Sequence, residues 1–87
     1  MDGLKRLELE YEGIRNTISA YTSEGNIMNF LFGLKEQMEL KDVEAISYYV
    51  EEICKWYDSN IDKIHNNEFV IDVSEHDRNK KLLEELR

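Results

Sequence analysis

Apolar residues recur along this chain at alternating spacings of three and four, the period of an α-helix buried on one face. The clearest stretch is 42–65, DVEAISYYVEEICKWYDSNIDKIH. A heptad pattern opened at Val43 aligns Val43, Ile46, Val50, Ile53, Tyr57, Asn60 and Ile64, with Asn60 the polar exception. Tyr49, Cys54, Trp56 and Ile61 widen that stripe on both flanks. The opposite face reads Glu44, Tyr48, Glu51, Glu52, Lys55, Asp58, Ser59 and Asp62. The pattern predicts a helix with one broad dry face and one wet face, around which the rest of the chain is organised.

Upstream, residues 2–21 place Leu4, Leu7, Tyr11, Ile14, Ile18 and Tyr21 on one helical stripe, with Asp2 as the expected N-cap and Leu9 off the stripe as surface. Gly13 weakens the middle of this helix unless it admits a close contact. Residues 22–26, TSEGN, favour a turn, and Ser23 or Asn26 is expected to cap the next helix, Ile27 to about Glu39. There Ile27, Phe30, Leu31, Leu34 and Met38 face the core. Met28 and Phe32 form a second apolar strip nearly opposite, which suggests self-association. Glu39, Leu40 and Lys41 make the next turn, with Asp42 as N-cap, so that the two flanking helices form an antiparallel hairpin.

Within 42–65, Glu51 precedes Lys55 at the spacing of a surface ion pair. Asn66 and Asn67 are expected to end the helix in the left-handed conformation. Residues 68–73, EFVIDV, form the one strand-like stretch. A lone strand leaves its backbone unpaired, so the stretch is expected to be an extended connector whose Phe69, Val70 and Ile71 plug one end of a bundle. Ser74 to Asp77 reads as a capping box ahead of a last helix, about Glu75 to Leu86, with only Leu82, Leu83 and Leu86 to bury. Together these elements predict an all-α fold: one domain over 1–87, an up-and-down antiparallel bundle of three to four helices with a short connector near 68–73.

Charge then narrows the partners. Nineteen acidic against eleven basic residues leave a net charge of −8. Such a field repels nucleic-acid phosphates and anionic lipid heads and favours a basic protein. The basic cluster Arg78, Lys80 and Lys81 is offset by Glu75, Asp77, Glu84 and Glu85 around it. No apolar run approaches the roughly 20 residues of a membrane span, and no signal-peptide pattern opens the chain. With a single Cys, no internal disulfide forms, and a reducing cytoplasm is the expected location.

Candidate chemistry is sparse. Asp62 and His65 share a helical face at metal-ligand spacing, but the apolar stripes of the other helices supply no further carboxylate or imidazole, so no metal or other cofactor is expected. Cys54 and His65 lie eleven positions apart on one helix, about 16 Å along its axis, too far for a nucleophile and its base. Cys54 reads as a small core residue and His76 as surface. Phosphate-binding glycine loops, Walker patterns and nucleophile elbows are missing, so the chain is not expected to be an enzyme.

What remains is an acidic surface around an aromatic. Glu44, Glu51, Glu52, Asp58 and Asp62 surround Tyr48 with Lys55 among them, a composition suited to anchoring and steering a basic protein. In length, acidity, four helical segments and the adjacent pair Tyr48–Tyr49, the chain resembles in kind the small immunity proteins that neutralise bacterial nuclease toxins. In that family the tyrosine pair lies in a short helix followed by Pro; here it lies inside a long one, with Tyr49 turned inward. The resemblance implies a basic enzyme as partner and assigns no residue roles. The expectation is therefore an acidic inhibitor acting through residues 44–62, or alternatively a homo-oligomeric structural or regulatory protein joined through Met28 and Phe32.

Overall fold

The computed structural model describes residues 2–87, with side chains from residue 3 onward. It comprises four α-helices: α1 (Asp2–Tyr21), α2 (Gly25–Leu40), α3 (Val43–Asn66) and α4 (Val73–Leu86). Each helix packs against its neighbours in chain order, and α4 returns to α1, which leaves α1 and α3 on a diagonal. Arg6 meets Glu85, and His65 meets Asp77, so α4 runs antiparallel to both α1 and α3. This is the expected up-and-down bundle, with no strand among the described residues. At 24 residues α3 is about 36 Å long, close to the 38 Å longest extent of the molecule, so it spans the bundle from end to end.

The core follows the helical stripes. Leu7, Tyr11, Ile14 and Ile18 of α1, Ile27, Leu31, Leu34 and Met38 of α2, and Ile46, Val50, Ile53, Tyr57 and Ile64 of α3 are all buried. The Tyr11 hydroxyl donates to the Leu31 carbonyl at 2.7 Å, which satisfies a phenol inside the core. Leu9 is exposed as expected, whereas Val43, placed on the core line by its spacing, lies at the helix start and is 44% exposed.

Helix ends differ more from expectation than helix faces. Asp42 caps α3 as predicted, accepting from the Ala45 amide at 3.2 Å. The capping role expected of Asp2 falls on a side chain outside those described. α2 begins at Gly25 behind Glu24, which makes no side-chain cap, and neither Ser23 nor Asn26 caps it; Thr22 Oγ1 instead accepts from the Glu24 amide at 3.1 Å. α2 closes on Lys41 in the left-handed conformation (φ 56°), with the Lys41 and Asp42 amides donating to Met38 and Gln37. That is a Schellman closure without glycine. Asn67, expected to be left-handed, is extended (φ −90°) and serves the connector instead.

The connector, residues 67–72, corrects the predicted plug. The Phe69 amide donates to Asn67 Oδ1 at 2.9 Å and the Val70 amide to the Asn67 carbonyl at 3.1 Å, so the chain reverses at once after α3. That turn points only Val70 partly inward, leaving Phe69 83% and Ile71 94% exposed. The bundle end is closed from within by Tyr21, Trp56, Tyr57 and His76, whose rings meet edge to face. α4 starts at Val73 behind Asp72, so Ser74 lies inside the helix and forms no capping box. It also buries more than its leucines: His76 and Asn79 join Leu82 and Leu83 inside, and Val73 packs against the core.

Candidate functional site

Asp42 and the buried stripe fix the rotation of α3, and that rotation sorts its polar side chains into groups with different surroundings. One group faces α4. Arg87 grips Glu51 with two hydrogen bonds, at 2.5 and 2.6 Å, a bidentate pair that overrides the Glu51–Lys55 pairing expected from spacing. Hydrogen bonding and charge from Glu51 raise the Arg87 pKa further above its usual value. Asp58 lies 3.6 Å from Lys80 and 3.9 Å from Arg87, while Lys80 also holds Glu84 at 2.9 Å. At the far end His65 Nε2 donates to Asp77 Oδ1 at 2.7 Å. Glu51 and Asp58 are thus neutralised from within the fold. Lys55 turns to Glu52 at 3.4 Å, a looser contact on the same helix.

The second group is the outer strip. Glu44 and Asp62 are exposed and make no ion pair among the described residues, and Tyr48 between them is 56% exposed. The Tyr48 ring stands edge-on to Tyr49, with centroids 5.2 Å apart. Tyr49 in turn lies against Gly33 of α2, where a Cβ would come within 2.5 Å of its ring. Glycine is needed at this close approach rather than at Gly13, which faces open space. The outermost aromatic thereby rests on an inner one that packs against the neighbouring helix, while Tyr48 itself projects into solvent.

The two residues expected to mediate self-association separate. Met28 is half-buried against the core, its sulfur 3.9 Å from the Ser19 hydroxyl of α1. Phe32 remains 57% exposed.

A feature that the sequence reading missed lies at the connector end. His76, expected on the surface, is 1% exposed. The Asn79 amide donates to Tyr57 Oη at 3.4 Å, and the Tyr57 hydroxyl reaches His76 Nδ1 at 3.1 Å. Burial pushes the Tyr57 hydroxyl far above its ordinary range and the His76 imidazole below its own. Trp56 packs beside them with its indole N–H buried and without an acceptor among the described residues. A cavity of about 220 Å³ opens between this cluster and the connector, lined by Thr17, Tyr21, Val70, Asp72 and His76 among others. The available signal was spacing: 76, 79, 83 and 86 continue one helical stripe, but imidazole and amide at two of these positions hid it.

The remaining chemistry is inert. Cys54 is buried, and desolvation pushes its thiol up to about 11, so it stays protonated at neutral pH. Among the described residues no trio of His, Cys, Asp or Glu is grouped to hold a metal ion, and no helix is long and apolar enough to cross a membrane.

The architecture is a small four-helix bundle with a divided charged helix, and neither a protein-family model nor a solved structure matches the chain. It is similar to the uncharacterized protein YddK of Bacillus subtilis (strain 168), at 36% identity over 90 residues. That match takes in 99% of this chain but 34% of YddK, so the chain spans about a third of its relative's length.

Proposed function

We propose that this chain is a non-enzymatic protein-binding module that neutralises a basic partner, an inhibitor of the immunity type, through the outer strip of α3. The observation that carries the reading is Tyr48, edge-on to Tyr49 and exposed one turn from Glu44, with Asp62 about 21 Å further along the same helix, two carboxylates without ion pairs among the described residues. An exposed aromatic on a strip that carries unneutralised acids suits a cationic surface, where Tyr serves as anchor and the acids accelerate encounter. Glu51, Glu52, Lys55 and Asp58 take the supporting role of a rim, since α4 or a neighbouring side chain already holds each of them. The partner class is a basic enzyme such as a nuclease toxin, met in a reducing cytoplasm where Cys54 stays a thiol.

Capture of partners from the native cell by wild type and by Glu44→Lys/Asp62→Lys tests this. Binding that weakens with salt and is lost in the double variant supports the reading; equal, salt-insensitive binding by both refutes it.

A second reading, a homo-oligomer joined through α2, is favoured by the exposure of Phe32, with Met28 contributing only its outer edge. Sedimentation of wild type and Phe32→Glu separates the two: a strict monomer at high concentration removes the oligomer, and a dimer abolished by Phe32→Glu establishes it.

A further inference from the structure

The buried polar cluster at the connector end has a direction built into it. Asn79 donates to Tyr57 Oη, and the arrangement that uses every polar group of the trio has the Tyr57 hydroxyl donating to His76 Nδ1, which assigns the imidazole its neutral form with the ring proton on Nε2. Tyr57 is on α3, and His76 and Asn79 are on α4; the edge of Tyr21 closes the imidazole from α1, 5.7 Å between centroids. One hydrogen-bond chain therefore ties α3 to α4 where the connector lands, and a ring contact adds α1.

We propose that this cluster is an acid-operated latch: neutral His76 pins the first two turns of α4, and through them the end of the connector, onto α1 and α3, and a proton on the imidazole releases them and opens the cavity beneath the connector.

A proton at Nδ1 sets two donors against one hydroxyl. Tyr57 Oη would have to accept from both His76 and Asn79, and its own hydrogen then points at no acceptor, an arrangement costly in a buried site. The charged groups around the imidazole are Asp72 and Asp77, both of which favour the cation. Asp77 is engaged outward by His65 Nε2 at 2.7 Å, so it is not free to turn inward. Burial opposes the cation and is the largest influence on the group. The sign follows: the fold favours neutral His76, so the latch holds above the ordinary imidazole range near pH ~6.5 and weakens as pH falls below it. Release frees the turn that carries Phe69 and Ile71, enlarging an apolar surface that is exposed already.

Imidazole NMR on the full chain, with His65→Gln to assign the two rings, reads the first half of the proposal. His76 should be the Nε2–H tautomer at about pH 7.5 and should titrate below the ordinary range of about 6.5. Amide exchange, corrected for intrinsic rate, reads the second half. Residues 73–79 should open about tenfold more readily at about pH 5 than at pH 7.5, while 46–53 at the other end of α3 hold. In His76→Gln, whose side-chain oxygen can still accept from Tyr57, the pH response should vanish. A His76 that is charged at neutral pH, exchange that ignores its titration, or a response that survives in His76→Gln each overturns the latch. Should His76→Gln fail to fold, wild-type titration and exchange decide alone.

Discussion

The side of α3 that meets α4 and the side that faces solvent carry similar residues in different circumstances. Toward α4, Glu51, Asp58 and His65 all find partners on that helix or at its C-terminal cap: Arg87, Lys80 and Asp77. On the outer strip Glu44 and Asp62 have none among the described residues, and Tyr48 touches only the ring of Tyr49 among the aromatics. Composition alone makes these one acidic face. The fold divides it, pairing one set of charges with α4 and leaving the other without an ion pair among the described residues. Internal pairing, rather than the count of carboxylates, therefore distinguishes a structural surface from a candidate binding surface.

Substitutions graded across the two sides test that division. At the buried base of the seam, Leu83→Ala should cost about 2–5 kcal/mol in denaturant unfolding, with no dependence on pH or salt. Tyr57→Phe should cost about 1–3 kcal/mol at neutral pH by stranding His76 Nδ1 and the Asn79 amide. That cost should shrink below about pH 6.5, since wild type then loses the same contact as the imidazole gains its proton. Asp58→Lys places a cation beside Lys80 and Arg87; it should lower the midpoint of thermal unfolding at low salt and recover much of the loss at high salt. On the outer strip, Tyr48→Ala should move stability by no more than about 0.5 kcal/mol, because little inside the fold rests on it. A larger loss there would make Tyr48 a strut for Tyr49 and erase the contrast.

Much of this was legible from the chain. The stripes of α1, α2 and α3, the Asp42 cap, the burial of Cys54 and the exposure of Tyr48 all follow from helical period and side-chain chemistry. Three features did not. Glu51 is claimed by Arg87, 36 positions away, and local spacing carries no information about such a partner. His76 and Asn79 are buried because Tyr57 satisfies them, a condition created only when α3 and α4 meet. Phe69 and Ile71 look like a plug because they are apolar, yet the Asn67 turn decides where they point, and hydrophobicity does not encode a turn's direction. Faces were readable where one helix determines them and unreadable where two must agree.

The most direct measurement is the affinity of a partner captured from the native cell for wild type and for Tyr48→Ala, with unfolding of both forms followed in parallel. An anchoring role predicts a loss of about thirtyfold or more in affinity, a salt-weakened wild-type complex, and equal stability of the two proteins. Retention of full affinity by Tyr48→Ala, or failure of wild type to hold any basic protein, would contradict it.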